Sequence, residues 1–183
     1  MLFHTTSLEG VYLIEPERLT DNRGFFARAF CRNQFKERGL EENFQQWSIS
    51  SNIHKGTVRG MHFQNLPFAE SKMIQCIQGS VYDVVVDIRK GSKTYEQWEA
   101  FRLSGDNHHM LYIPPGYAHG FQTLEPHSTL YYHMSGIYDP AVQNGARYDD
   151  PAFKIDWPFK EDPVISERDA HLAPWRDEYA LDL

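Results

Sequence analysis

The sequence predicts an all-β sandwich or barrel, on three observations. Short apolar and β-branched runs recur at near-regular spacing, most of them divided by Gly, Pro, Asn or Asp. The run Val81–Arg89 alternates with period two: Tyr82, Val84, Val86 and Ile88 fall on one face, and Val81, Asp83, Val85 and Asp87 on the other. Strand signals dominate, and the one helix candidate before the C-terminal tail is short.

In chain order, Gly10–Ile14 and Phe25–Phe30 are the first strand candidates. Asn33–Arg38 reads as a short helix, with Asn33 able to cap its start and Gly39 to end it. Ser48–Asn52 and Val58–Gln64 follow as strands. Lys72–Ile77 and Val81–Arg89 are joined by Gln78-Gly79-Ser80, which reads as a hairpin turn. Trp98–Leu103, Met110–Ile113, Phe121–Leu124 and Thr129–Met134 complete the strands. The tail from Asp150, with Trp157-Pro158, Ser166–Asp169 and Trp175, reads as short helices and loops wrapped on the barrel. No repeat or low-complexity linker divides the 183 residues, so one domain over 1–183 is expected, with 150–183 as its C-terminal extension. A domain of that size buries roughly 70% of its unfolded surface.

Twenty-five acidic against 18 basic residues give a net charge of −7 with no basic run. That excludes a general nucleic-acid or membrane-surface binder, so an anionic ligand must be small and held by local cations. The N-terminus has no basic segment followed by an apolar one, and no stretch approaches the roughly 20 apolar residues of a membrane span. A cytoplasmic location is expected. Cys31 and Cys76 are far apart and lack Cys-x-x-Cys spacing, which suits reduced, packed thiols.

The chemistry centres on Arg59-Gly60-Met61-His62-Phe63-Gln64 and Pro114-Pro115-Gly116-Tyr117-Ala118-His119-Gly120-Phe121. Inside a barrel, His62 and His119 could converge with Arg59 and Lys72. Neutral imidazole takes a proton from carbon, and the cations hold an anionic substrate and its developing charge. Packed core histidines are the bland alternative. Arg59 and His62 have opposite parity, so a bulge near Gly60 is needed to aim both inward. A metal site competes: Gly60-x-His62, Glu70 and Pro114–His119 partly match the two metal motifs of the cupin superfamily. Gln64 stands where a second histidine is usual, and amide oxygen is a weak ligand for such metals.

From Gly10 to Asp169 the chain resembles the dTDP-4-dehydrorhamnose 3,5-epimerases, the RmlC-like cupins. The resemblance rests on Asp21-Asn22-Arg23-Gly24-Phe25-Phe26, Arg59–Gln64, Lys72, Gly79–Val84, Pro115–Phe121, Tyr132, Tyr138 and Asp150-Pro151 through Trp157-Pro158. It implies a cupin-type jelly-roll barrel and a homodimer formed by strand exchange or edge pairing. It also implies an epimerase, free of metal and cofactor, that removes protons beside the 4-keto group of a nucleotide-linked 6-deoxyhexose. By resemblance His62 is the base, oriented by Asp169; Lys72 holds the enolate oxygen; Tyr132 is the acid on the opposite ring face. Leu130 and Met134 share the parity of Tyr132, so a plain core tyrosine is its alternative. Arg23, Arg59 and Arg168 resemble diphosphate and nucleotide contacts, with a solvated surface arginine as the alternative above all for Arg168. His119 and Asp83 resemble positions beside the substrate or just behind the groups that touch it, and Tyr138 a substrate contact; Phe26 resembles an aromatic wall by the base, with a core residue as its alternative.

Where relatives commonly carry Glu, Gln, Asn and Glu around the nucleotide base, this chain has Arg28, Trp47, Ile49 and Gln143. The change reverses one charge and removes donors and acceptors. It implies a pocket that favours a base other than thymine, or one that reads the base weakly and relies on Arg23 and Arg59. Two other classes compete. A sugar-binding cupin without turnover needs no base, carboxylate and opposed acid together, and a metal-dependent cupin oxygenase or isomerase is disfavoured by Gln64.

Overall fold

The computed structural model describes residues 1–183. Its strands are β1 (Leu2–Thr5), β2 (Tyr12–Glu15), β3 (Leu19–Asp21), β4 (Gly24–Phe26), β5 (Gln46–Asn52), β6 (Val58–Gln64), β7 (Lys72–Gln78), β8 (Ser80–Asp87), β9 (Trp98–Ser104), β10 (Met110–Ile113), β11 (Tyr117–Thr123), β12 (Ser128–Met134) and β13 (Gln143–Gly145). Two short helices, α1 (Arg32–Lys36) and α2 (Glu167–Ala170), and a 3-10 turn at Asp177–Tyr179 accompany them. One antiparallel sheet runs β1-β2-β10-β7-β12-β5, and a second runs β13-β6-β11-β8-β9. β3 and β4 form a separate hairpin. This is the all-β, jelly-roll architecture expected. No helix is long and apolar enough to cross a membrane.

Alternation explains how the layers stack. Val81 and Val85 of β8 meet Ile74, Cys76, Leu111 and Leu130 of the six-stranded sheet in the core between the sheets. Val84, Val86 and Ile88 point the other way, where Phe153, Trp157, Trp175 and Leu181 of the tail cover them. Both faces of β8 are therefore buried, which accounts for its near-continuous apolar run. Each of these side chains contributes about 1.5–3 kcal/mol of burial. On the far face of the six-stranded sheet, Phe35 of α1 packs with Ile14, Met73, Met110 and Tyr112.

Several local expectations are corrected. Gly79 is not a hairpin turn, because β7 and β8 belong to different sheets. It is the corner where the chain changes layer, at φ +72°, and a Cβ there would come within 2.5 Å of Ser128 Oγ. The helix starts at Arg32 with Cys31 as its N-cap residue and no side-chain cap, so Asn33 caps nothing. Gly39 does end it, at φ +67°, with its N–H donating to the Lys36 carbonyl. β11 begins at Tyr117, four residues before the expected start, because Tyr117–Thr123 pairs in unbroken register with Val81–Asp87. The strand expected over Phe25–Phe30 stops at Phe26. β1, β3 and β13 were not anticipated.

Candidate active site

A cavity of about 620 Å³ opens between the sheets, walled by β5, β6, β7, β11 and β12. His62 faces His119 across the β6–β11 ladder, and Arg59 faces Phe121. Three steps on β6 thus span two on β11, so one extra residue bulges out at Gly60-Met61. The bulge resolves the parity conflict: Arg59 and His62 both line the cavity, while Met61 is buried in the cluster beneath the tail. Only glycine suits position 60. Its φ is +117°, and a Cβ would lie 2.6 Å from Gly120 Cα and 2.7 Å from the His119 carbonyl.

Asp169 reaches His62 from behind. Its Oδ1 is 2.8 Å from His62 Nε2, and its Oδ2 accepts the Gly60 N–H at 3.2 Å. α2 presents this carboxylate; Ser166 Oγ caps the helix by accepting the Asp169 N–H. Burial pushes the Asp169 carboxyl up, but the His62 hydrogen bond and charge, the Gly60 N–H and Arg168 together outweigh it and leave it below the ordinary range. With Nε2 engaged, the other ring nitrogen of His62 is available to take a proton.

The opposite wall carries Lys72 and Tyr132. Burial pulls the Lys72 ammonium below its ordinary range, and the charges of Glu70 and Asp83 oppose that pull. Burial also pushes the Tyr132 phenol well above its ordinary value; the Asp83 charge adds to this and Arg59 opposes it. Tyr132 is therefore held in its protonated form, a phenol with a proton to give. Its ring packs on the inter-sheet core and edge-on to His119 at 6.0 Å. His119 Nε2 is 2.9 Å from Asp83 Oδ1, a buried pair in which His119 lines the cavity and Asp83 stands behind it. Arg59 donates through Nε to Asn52 Oδ1 at 2.8 Å.

Of the residues expected from sequence, His62, Lys72, Tyr132, Arg59, His119, Trp47, Ile49, Tyr138 and Gln143 border this cavity. Arg168 stands beside it, donating to Gln143 Oε1 at 2.6 Å, and Tyr138 donates its hydroxyl to the same oxygen at 2.7 Å. Trp47 and Ile49 sit on the rim. Their register partners are His133 and Tyr131, and the Trp47 ring lies 4.6 Å from that of His133. Gln46, Ser48 and Ser50 alternate with them and so share the face of Tyr132; sequence reasoning missed these, although the polar half of the alternation was visible. Glu70 also lines the cavity. Arg23, Phe26 and Arg28 do not. Arg23 pairs with Asp21 on the exposed β3–β4 hairpin, Phe26 is 71% exposed there, and Arg28 is exposed just beyond it. Within the chain, Phe26 makes no wall by His62.

No three His, Cys, Asp or Glu side chains converge as a metal ligand set. A family model described as dTDP-4-dehydrorhamnose 3,5-epimerase matches residues 5–177. The chain belongs to this epimerase family. The dTDP-4-dehydrorhamnose 3,5-epimerase of Methanothermobacter thermautotrophicus is 41% identical over 177 residues, 96% of this chain and 95% of that one. The dTDP-4-dehydrorhamnose 3-epimerase of Streptomyces niveus is 39% identical, covering 92% and 81%. Among solved structures, the epimerase of Legionella pneumophila in complex with dTDP-4-keto-L-rhamnose superimposes with a TM-score of 0.92, at 33% identity over 100% of this chain and 98% of that one. Epimerases of this family are isomerases, and the two kinds of relative differ in whether C5 is named beside C3.

Proposed function

We propose that this epimerase inverts C3, C5 or both in a nucleotide-linked 4-keto-6-deoxyhexose, in the cytoplasm, as a step of deoxysugar biosynthesis. The observation that carries the reading is one cavity holding a carboxylate-oriented imidazole, His62–Asp169, with a buried ammonium, Lys72, and a phenol that stays protonated, Tyr132. A C–H beside a ketone is acidic only if the enolate oxygen is stabilised as it forms, which is the part assigned to Lys72. His62 takes the proton, and Asp169 stabilises the imidazolium. Tyr132 returns a proton to the other face, which inversion requires. No metal or cofactor enters these steps, and activity should survive chelation.

The diphosphate is assigned to Arg59, with His119 at the sugar and Tyr138, Gln143 and Arg168 toward the nucleotide. Arg23, Phe26 and Arg28 belong to the same site if their exposed hairpin reaches the cavity of a second copy in a homodimer. The hairpin's lack of cover supports this: Leu19 and Phe26 are each 71% exposed.

Incubation with 4-keto-6-deoxy nucleotide sugars in deuterated water, followed by NMR, tests the reading. Deuterium at C3 or C5 is the expected result, and its position gives the regiochemistry. Tight binding without any exchange would instead make the chain a sugar-binding cupin.

A further inference from the structure

Two carboxylates act on the buried Lys72 ammonium, Glu70 and Asp83. Asp83 makes no ion pair with Lys72 and, although its Oδ2, like Glu70 Oε2, lacks a hydrogen-bond partner, it is committed elsewhere through Oδ1, which holds His119 Nε2 at 2.9 Å. Glu70 is not. Its Oε1 lies 3.8 Å from Lys72 Nζ, close enough to pair but too long for a hydrogen bond, and this is the only ion pair of Lys72. Its Oε2 is buried with no hydrogen-bond partner, and the side chain is only 5% exposed. A carboxylate is costly to leave in such a place without a structural or chemical return.

The surroundings approach Oε2 without a well-formed hydrogen bond. Gly136 lies against the carboxylate, and a Cβ there would approach Oε2 to 2.8 Å. Gln64 donates to the Phe68 carbonyl at 3.3 Å. Burial pushes the Glu70 carboxyl up, and the Lys72 charge, Gln64 and the Gly136 backbone oppose that push without overcoming it. The loop bearing Glu70 is fastened in place: the Ser71 N–H donates to Ser135 Oγ, and the Ser135 N–H to the Ser71 carbonyl.

We infer that Glu70 is a positioning residue of this active site, the carboxylate that keeps the buried Lys72 ammonium charged and holds it ready for the substrate oxygen. The inference rests on the assignment of Lys72 to the enolate. The other ionisable groups around Lys72 come from each wall: Arg59 and His62 from β6, Asp83 from β8, His119 from β11 and Tyr132 from β12. Arg59 opposes a charge on Lys72, Tyr132 stays neutral, and Asp83 already serves His119. Glu70 is thus the uncommitted negative charge. Because the contact is loose, the ammonium keeps its donors free for an oxyanion, and the charge of Glu70 need not be displaced for one to form.

Glu70→Gln preserves shape and removes the charge, so the opposed pull of burial on Lys72 is left with less to resist it. By NMR of ε-carbon-labelled lysine in the whole protein, the Lys72 titration should fall by about one pH unit or more. The alkaline limb of kcat should fall with it while KM changes little. Glu70→Asp, which restores the charge on a shorter arm, should recover part of both. An unmoved Lys72 titration overturns the role of Glu70 alone. A titration that moves while the kcat profile does not overturns the part given to Lys72, and this inference with it. If Glu70→Gln does not fold, the unaltered protein still decides: the Glu70 carboxyl and Lys72 ammonium should titrate as a coupled pair, and independent curves for the two would refute the inference.

Discussion

His62 Nε2 and Asp169 Oδ1 stand 2.8 Å apart across 107 residues of chain. The contact fixes the imidazole from the side away from the cavity and holds the Asp169 carboxyl below the ordinary range, against the push of burial. His62→Ala or His62→Asn should abolish deuterium exchange at the substrate carbons. Asp169→Asn should slow it by about 10²–10⁴-fold, the usual scale of a general-base contribution. A depressed native pKa also has a sign: the carboxylate adds stability that is present above its unfolded value of about 3.9 and lost as pH falls through the lower native one. Unfolding of Asp169→Asn should therefore depend less on pH at the acid end, and an unchanged acid limb would contradict this.

Tyr132→Phe should separate the two half-reactions. Removing the phenol leaves His62 and Lys72 able to form the enolate, so exchange persists while completed inversion falls. Measuring deuterium incorporation and product configuration in the same sample checks it. Equal loss of both would sink the assignment of Tyr132 as the acid.

Gly60→Ala should cost stability and activity together. The new methyl meets Gly120 Cα and the His119 carbonyl inside van der Waals contact, in a backbone conformation that disfavours any side chain. A loss of about 2 kcal/mol or more is expected by chemical denaturation. A variant as stable and active as the parent would show that the bulge does not aim His62.

Nucleotide recognition should be weak at the base and strong at the diphosphate. Trp47 and Ile49 lie on the outer face of the edge strand, Arg28 is exposed outside the cavity, and Gln143 is shared between Tyr138 and Arg168. Titration calorimetry with dTDP, UDP, CDP and GDP should give affinities within about tenfold, because the cavity-facing polar groups of β5 are the short Ser48 and Ser50 and the amide of Gln46, and the exposed Trp47 and Ile49 add no buried donor or acceptor worth the usual about 1–3 kcal/mol. A preference for dTDP of tenfold or more would refute this.

A homodimer should be seen by light scattering at all practical dilutions. If the β3–β4 hairpin serves a partner's cavity, inactive Arg23→Ala and inactive His62→Ala chains should regain activity when refolded together. Mixed dimers then hold one site with both residues intact. A monomer mass, or no recovery on mixing, would count against the arrangement.

Much of this architecture was legible in the residues. β6 and β10 match their expected bounds, since each is a clear run ended by breakers, and the opposite parity of Arg59 and His62 by itself calls for the bulge at Gly60-Met61. What escaped was set by tertiary context. Gly79 looks the same at a hairpin and at a change of layer, and only pairing partners distinguish them. The strand was expected to start at Phe121, yet β8 on one side and β6 on the other draw Tyr117–Gly120 into it. Asp169 was placed only by family resemblance, because nothing local ties it to His62. Glu70 entered as a possible metal ligand, and its partnership with Lys72 depends on a loop geometry that sequence does not carry.

Asp169 also ties the active site to the cover of the barrel. The imidazole sits on β6, in the first half of the chain, while the carboxylate that orients it arrives on α2, near the end. The same segment that carries Asp169 to His62 also supplies Phe153, Trp157, Trp175 and Leu181, which cover the apolar outer face of β6, β8 and β11. One segment thus serves both the base and the outer layer. Loosening that segment should therefore cost proton transfer and expose apolar surface together.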